Sequence, residues 1–321
     1  AQEAWKLIAD DPPHATKAWI QATLARTHHA TREHEASAEW ARRAIETAGA
    51  LEGPGAHIAA KADALISAGS AHFRQGGDDE ETLRFHEQAR ELLHGTPWHE
   101  VELRSHFSTG LIHLEKARIA SALAEFDRGM ARARDTGHKW SAYGTETAVR
   151  QVICNYMLGH WDAADAAAAM AVSVVPGVVM TRLTAAALLV DVARGRFAAA
   201  DRRLAYLADR WQVDGQVLAL AGLCGVELER WRGRPAEAVA AAERAVERLE
   251  SLWAYHLAGV SVCVMGVAAA ADLAQRSRQD GDPAAAKEAA AAGERLAERG
   301  RHFLSHGRPL SGTLGPEGRA W

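Results

Sequence analysis

Alanine-rich apolar stretches recur along the chain, and one short polar turn separates them: Gly159-His-Trp-Asp-Ala-Ala164, Gly195-Arg-Phe-Ala-Ala-Ala200, Gly233-Arg-Pro-Ala-Glu-Ala238 and Gly281-Asp-Pro-Ala-Ala-Ala286. Degenerate copies stand upstream, with turns at Arg32, Gly77 and Ala117, so successive turns lie 36 to 48 residues apart. That interval is the length of a helix pair. Glycine ends one helix where a positive φ is needed, and Asp or Pro opens the next within two or three residues, which makes a tight antiparallel hairpin.

Seven hairpins are predicted, pairing residues 14–30 with 33–49, 55–75 with 78–94, 97–115 with 119–136, 138–158 with 161–174, 178–194 with 197–212, 215–231 with 235–250 and 252–279 with 283–306. Five and twelve residues after each turn position stand Ser37 and Ala44, Thr82 and Ala89, Ala122 and Gly129, Ala164 and Ala171, Ala200 and Leu207, Ala238 and Ala245, and Ala286 and Gly293. All but Leu207 are small. Two small residues seven apart share one helix face and let a partner helix approach closely along that line. Chance alanines would not keep one phase through repeats of unequal length.

One hairpin cannot bury its own apolar face, so neighbours must stack. The expected fold is all-α, an α-α superhelix (solenoid) of about seven helical hairpins that runs through residues 1–321 as a single repeat domain and curves around a concave groove. Composition agrees: 48% of residues are hydrophobic, while four Tyr and six Phe beside many alanines favour helix over strand.

In the phase of its small positions the chain resembles tetratricopeptide repeats, although these repeats exceed the usual length of about 34 residues and lack most of the large aromatic consensus positions. More narrowly, Asp11-Pro-Pro13, Gly129-Met-Ala-Arg-Ala-Arg-Asp-Thr-Gly137, Gly233-Arg-Pro-Ala-Glu-Ala238 and Gly315-Pro-Glu-Gly-Arg-Ala-Trp321 look like the central-to-C-terminal region of large ATP-binding LuxR-type (MalT-like) bacterial transcriptional regulators. That resemblance spans nearly the whole chain. It implies the helical-repeat arm that lies between a nucleotide-binding switch domain and a helix-turn-helix, receiving a small-molecule inducer or a protein partner. The missing initiator Met and the helical pattern that begins again at Trp321 fit a piece of such a regulator. The alternative is a freestanding scaffold that brings proteins together. No ligand residue carries over from the family.

A formal net charge of −4 gives no general attraction for a phosphate backbone, so no direct nucleic-acid contact by this chain is expected. The apolar runs near Ala166–Val175 and Ala185–Val190 are interrupted by Pro176 and Asp191, short of the roughly 20 residues of a membrane span. Cys154, Cys224 and Cys263 stand far apart without a CxxC pair, which fits a reducing cytoplasm. No GxxxxGK[ST], GxGxxG or GxSxG motif occurs, so no enzyme chemistry, catalytic residue or cofactor is assigned. Sixteen histidines invite a metal reading. His99, His106 and His113 share a helix face, yet steps of seven residues set them about 10 Å apart, too far for one zinc. The Asp78-Asp79-Glu80-Glu81 run precedes a helix and reads as a cap that complements its dipole. The ten tryptophans read as fillers of gaps between helices, Trp161 on its own hairpin in the turn position that Phe197 takes one repeat later.

One polar series remains. Four residues before each of the first six turns stand His28, Phe73, His113, Asn155, Asp191 and Glu229. The last three fall in otherwise apolar helices of consecutive repeats, where stacking sets them in a row about 10 Å apart. With Arg150, Tyr156 and Arg182 nearby, they are the candidate groove-binding residues. Against this stands simple pairing, of Asp191 with Arg194 and of Glu229 with Arg230 or Arg232.

Overall fold

A computed structural model of the chain describes residues 1–169, 177–208, 210, 214–253 and 257–307, and every regular element among them is an α-helix. In order they are α1 (Gln2–Ile8), α2 (Ala15–Ala30), α3 (His34–Gly49), α4 (Ala56–Arg74), α5 (Asp79–Leu93), α6 (His99–Glu115), α7 (Ile119–Asp135), α8 (Ala142–Met157), α9 (Trp161–Ala169), α10 (Gly177–Ala193), α11 (Phe197–Ala208), α12 (Gly215–Trp231), α13 (Pro235–Trp253), α14 (Ala258–Gln279) and α15 (Pro283–His306). From α2 onward these fill the seven predicted helix pairs in order, and α1 is an extra short helix ahead of them. The start of α8 differs from the prediction. Residues 138–141 turn before it, Ser141 Oγ accepts the Gly144 N–H at 3.2 Å, and Gly144 lies so close to the His138 and Lys139 carbonyls that no Cβ would fit.

Two compact units make up the chain, the first Ala1–Arg150 and the second starting at Gln151. In the first, α2 packs on α3 and α4, α4 on α5 and α6, and α6 on α7. In the second, α10 packs on α9, α11 and α12, α12 on α13 and α14, and α14 on α15. Within each unit a first helix therefore meets both its own partner and the first helix of the next pair, the contact pattern of stacked helical repeats.

All seven turns close with the same bond. The third residue past each first helix donates its N–H to a carbonyl five residues back: Glu33 to His28, Gly77 to His72, Arg118 to His113, His160 to Asn155, Arg196 to Asp191, Arg234 to Glu229 and Asp282 to Ser277, at 2.8 to 2.9 Å. Between these partners the chain needs a left-handed residue. Glycine supplies it at five turns, but Arg32 at φ 64° and Ala117 at φ 56° adopt it without that freedom. The second turn corrects the expected register: Gly76, at φ 82°, takes the left-handed place, and Gly77 is an inserted residue that lets Asp78 cap α5. The residue four before that turn is thus His72 and not Phe73, which is buried in the core.

Each phased small position among the described residues is buried, Leu207 included; Ala171 lies outside them. The facing helices answer with small residues of their own. A Cβ on Gly222 of α12 would stand 2.7 Å from the Ala245 Cβ, and one on Gly266 of α14 would stand 2.6 Å from the Ala242 Cβ. In α4, a Cβ on Gly69 would meet Phe85 at 2.9 Å and the Thr82 carbonyl at 3.0 Å. Helix α14 is long and apolar enough to cross a membrane by length and composition. It is nonetheless a core helix of the second unit, with Val262, Cys263, Ala269 and Ala270 packed among Ala242, Leu296 and Phe303.

Two glycines three residues apart on α12 make this packing testable. Gly225 faces open space, so Gly225→Ala is expected to stabilise by up to about 1 kcal/mol through helix propensity. Gly222→Ala is expected to destabilise by about 1–3 kcal/mol through overpacking. Urea unfolding of both variants reads the two signs, and equal signs would remove the close-approach account.

Candidate functional site

The predicted row sits at the turns. Asn155 is buried and its side-chain amide donates to the Gln151 carbonyl at 2.9 Å. Asp191, 3% exposed, pairs with Arg196 at 2.9 Å and Arg203 at 2.6 Å. Glu229 pairs with Arg232 at 2.8 Å and Arg234 at 3.6 Å. Arg194, offered as the Asp191 partner, instead reaches Asp162 and Asp165 of the preceding repeat. A local rule links three repeats: His28 with Glu33, Asp191 with Arg196 and Glu229 with Arg234 each join the residue whose carbonyl accepts the turn bond to the residue whose N–H donates it. These side chains lock hairpin turns. Tyr156 packs into the core of the second unit, and Arg182 binds Asp214 at 2.7 Å, while Arg150 belongs to the first unit.

The other flagged residues also find structural roles. Asp78 accepts the Glu81 N–H at 3.0 Å as the cap of α5, and Asp79 is held by Lys116 and Arg118 across the turn that follows α6. His99 stacks on His138 at 5.4 Å, and His106 bonds Glu125 at 2.8 Å, so the histidines of that face serve separate partners. Trp161 donates to the Tyr156 carbonyl at 3.3 Å, on its own hairpin. Trp5 meets Trp40 edge-on at 5.0 Å, and Trp19 meets Trp98 at 5.7 Å. Trp231 departs from the gap-filling role, being 66% exposed; Trp211 lies outside the described residues, as does the Trp253 side chain. Burial pushes the Cys224 thiol up, and the Cys263 thiol up to about 12, so neither is poised as a nucleophile.

What the sequence reading missed is a charged interior in the first unit. Asp63 of α4, fully buried, accepts from Arg104 of α6 at 2.6 Å, and the same guanidinium donates to the Asp63 carbonyl and to Ser67, each at 2.8 Å. Arg26 of α2 approaches the other Asp63 oxygen at 3.8 Å. Tyr143 of α8 lies beside Arg104 as well. Four successive first helices are thus joined by one polar line. Beside it, His86 of α5 meets Thr109 at 3.0 Å, and Arg90 reaches Ser105, Thr109 and the nearly buried Glu125 at 3.1 to 3.3 Å. One signal was available: Asp63 stands alone among the alanines of α4.

The electrostatics follow from burial. Desolvation, then the charges of Arg90 and Arg104, pushes His86 down to about 3, and burial with Arg74 and Arg104 pushes His29 down to about 2. Both rings are therefore neutral at physiological pH. Burial alone would raise the Glu125 carboxyl, but bonds from His106 and Arg128 hold it down at about 2. The Asp63–Arg104 pair joins two adjacent first helices, α4 and α6, while His86 and Arg90 of α5 and Glu125 of α7 tie second helices to α6.

No protein-family model and no curated protein matches the chain by sequence. Solved structures do match in fold. The apo form of RapI aligns with a TM-score of 0.60 at 10% identity, over 93% of this chain and 79% of that one. A tetratricopeptide repeat protein from Parabacteroides merdae aligns at 0.53 and 13% identity, over 90% of this chain and 99% of that one. The Rap conjugation gene regulator of plasmid pLS20, in complex with the Phr* peptide, gives 0.49 at 12% identity over 90% and 76%. The first two alignments show the tetratricopeptide-like, all-helical repeat fold.

Two outcomes test the charged interior. Asp63→Ala strands the Arg104 charge and is expected to cost about 3–5 kcal/mol, whereas Asp63→Ala with Arg104→Met should recover most of it; a double-mutant cycle in urea that showed no coupling would refute the pairing. For pH, the unfolded chain binds a proton on the ring of His86 below about 6.5 that the folded chain refuses down to about 3. Stability is then full above pH 6.5 and falls as pH drops toward 3, by up to about 1.4 kcal/mol per pH unit for that ring. Glu125 adds its own loss below about pH 4.5. Urea midpoints measured from pH 7 to 5 should decline, and His86→Gln should flatten that decline.

Proposed function

We propose that this chain is an interaction and signal-sensing domain, tetratricopeptide-like and non-enzymatic, that receives a protein partner or small-molecule inducer on the face of its first helices. The observation that supports it most is the polar line Arg26, Asp63, Arg104 and Tyr143, which places charge on consecutive first helices where stacking alone would call for apolar residues. Buried charge of this kind costs stability relative to a well-packed apolar core. Recognition is the role that accounts for its presence.

The finer proposal is the arm of a LuxR-type regulator acting in the cytoplasm, with DNA binding carried by another module, as the resemblance of Asp11-Pro-Pro13 and Gly129–Gly137 implies. The Gly315–Trp321 phrase of that resemblance lies outside the described residues. A freestanding scaffold would use the same face. A continuous reading frame with an upstream phosphate-binding loop and a downstream helix-turn-helix supports the arm, and a stop soon after Trp321 supports the scaffold. In the second unit, Asn155, Asp191 and Glu229 with Tyr156 and Arg182 are proposed as a further contact surface, and Arg150 is proposed as a binding residue of the first unit.

Site-specific photo-crosslinking in cells tests where a partner sits. A crosslinker at Thr27 or Ser108, on α2 and α6, is expected to give a discrete adduct, whereas Arg43 or Arg84, on α3 and α5, gives none. Adducts at Tyr156 or Arg182 would extend the contact into the second unit. Adducts confined to the second helices would sink the proposal.

A further inference from the structure

The first helices of three consecutive pairs in the first unit meet at a small pocket. Its polar lining is His29 from α2, Ser70 and Arg74 from α4, and Ser108 and Glu115 from α6, over an apolar wall that includes Phe73. Its free volume is about 40 Å³, which holds about three water-sized groups.

Hydrogen-bonding capacity here is left unmatched. Among the described residues the Arg74 guanidinium makes no hydrogen bond or ion pair, and the Ser70 and Ser108 hydroxyls have no partner. The His29 Nδ1 is buried, also without a hydrogen-bond partner. Burial, then the positive charge of Arg32, pulls Arg74 down to about 10, with Glu115 pulling the other way. A half-buried guanidinium with no carboxylate within hydrogen-bonding distance is incompletely compensated. The neighbouring Arg104 does not share this condition, because Asp63 already matches its charge.

We infer that this pocket takes a carboxylate carried on a short apolar stem, its two oxygens meeting the Arg74 fork and the Ser70, Ser108 and His29 donors while the stem lies on the apolar wall. Arginine presents parallel N–H donors matched to the two oxygens of a carboxylate. The small free volume accepts a group as compact as a carboxylate. The assignment rests on the first-helix face being the recognition face and supplies the ligand chemistry for it.

Titration of the full chain by isothermal calorimetry tests this with defined probes: 4-methylpentanoate and its amide, acetyl-Ala-Ala-Leu as free acid and as amide, and inorganic phosphate. Both acids should saturate and both amides should bind at least tenfold more weakly. Tighter binding of the tripeptide acid assigns the source to a peptide terminus, and tighter binding of 4-methylpentanoate to a free organic acid. Arg74→Gln should weaken the acids at least tenfold with an unchanged or higher Tm, since its guanidinium makes no hydrogen bond or ion pair, and Ser108→Val should weaken them at unchanged Tm. The assignment is overturned if no acid binds, if amides match acids, if phosphate competes equally, or if Arg74→Gln lowers Tm by several degrees. Selective acid binding without first-helix crosslinks would overturn the partner proposal alone, and crosslinks without acid selectivity would overturn the carboxylate pocket alone.

Discussion

Close approach of neighbouring helices at small side chains is the constraint on which this structure depends. Where Gly222 faces Ala245 and Gly266 faces Ala242, the backbones come so near that even a methyl group would collide. Packing that tight fixes rotation and height of one helix on the next, because few alternative arrangements avoid a clash. The turn does the rest. A carbonyl five residues back accepts the returning N–H at every one of the seven turns, so the second helix of each pair starts from a set direction. Phase is then transmitted from turn to packing line, and the one residue inserted in that segment, Gly77, is absorbed before the Asp78 cap of α5.

Against this common frame the two units part in chemistry. The cores of the second unit are built from alanine, valine, leucine and cysteine, with Phe303 closing one end. In the first, the same structural level holds Asp63, Arg104, His86 and Glu125, all buried. Twelve of the sixteen histidines also lie before residue 151. An apolar interior would stack the helices at least as well, since a buried ion pair seldom outperforms well-packed hydrophobes. The charges therefore answer to something other than stacking, and the Asp63–Arg104 pair among them joins two adjacent first helices, α4 and α6.

The periodic features were legible in sequence and the exceptions were not. Turn glycines and phased alanines are short-range signals, each needing only its own helix to be read, and they located six of seven turns to the residue. The seventh slipped by one, because Gly76 and Gly77 both satisfy the conformational demand and only the cap at Asp78 decides between them. The polar series was visible as well, but its purpose was hidden. Asp191 looked like a groove residue until Arg196 and Arg203 were seen to converge on it, and that convergence depends on the path of the turn and on an element twelve residues later. Asp63 and Arg104 lie 41 residues apart, so no window of helical periodicity connects them.

This contrast bears on how function resides in a helical-repeat chain. Positions that set the fold are small and interchangeable between distant structures, which is why RapI overlays over most of the length at 10% identity. Identity at that level transmits geometry and no ligand. Specificity must then come from side chains that break the packing rule, and in this chain the breaks are concentrated where α2, α4 and α6 adjoin. There Arg104 is satisfied by Asp63, and its neighbour Arg74 is left with Arg32 nearby and no carboxylate within ion-pair distance. The difference between the two guanidiniums is one of occupancy: one site is completed by the fold, and the other is shaped to be completed from outside.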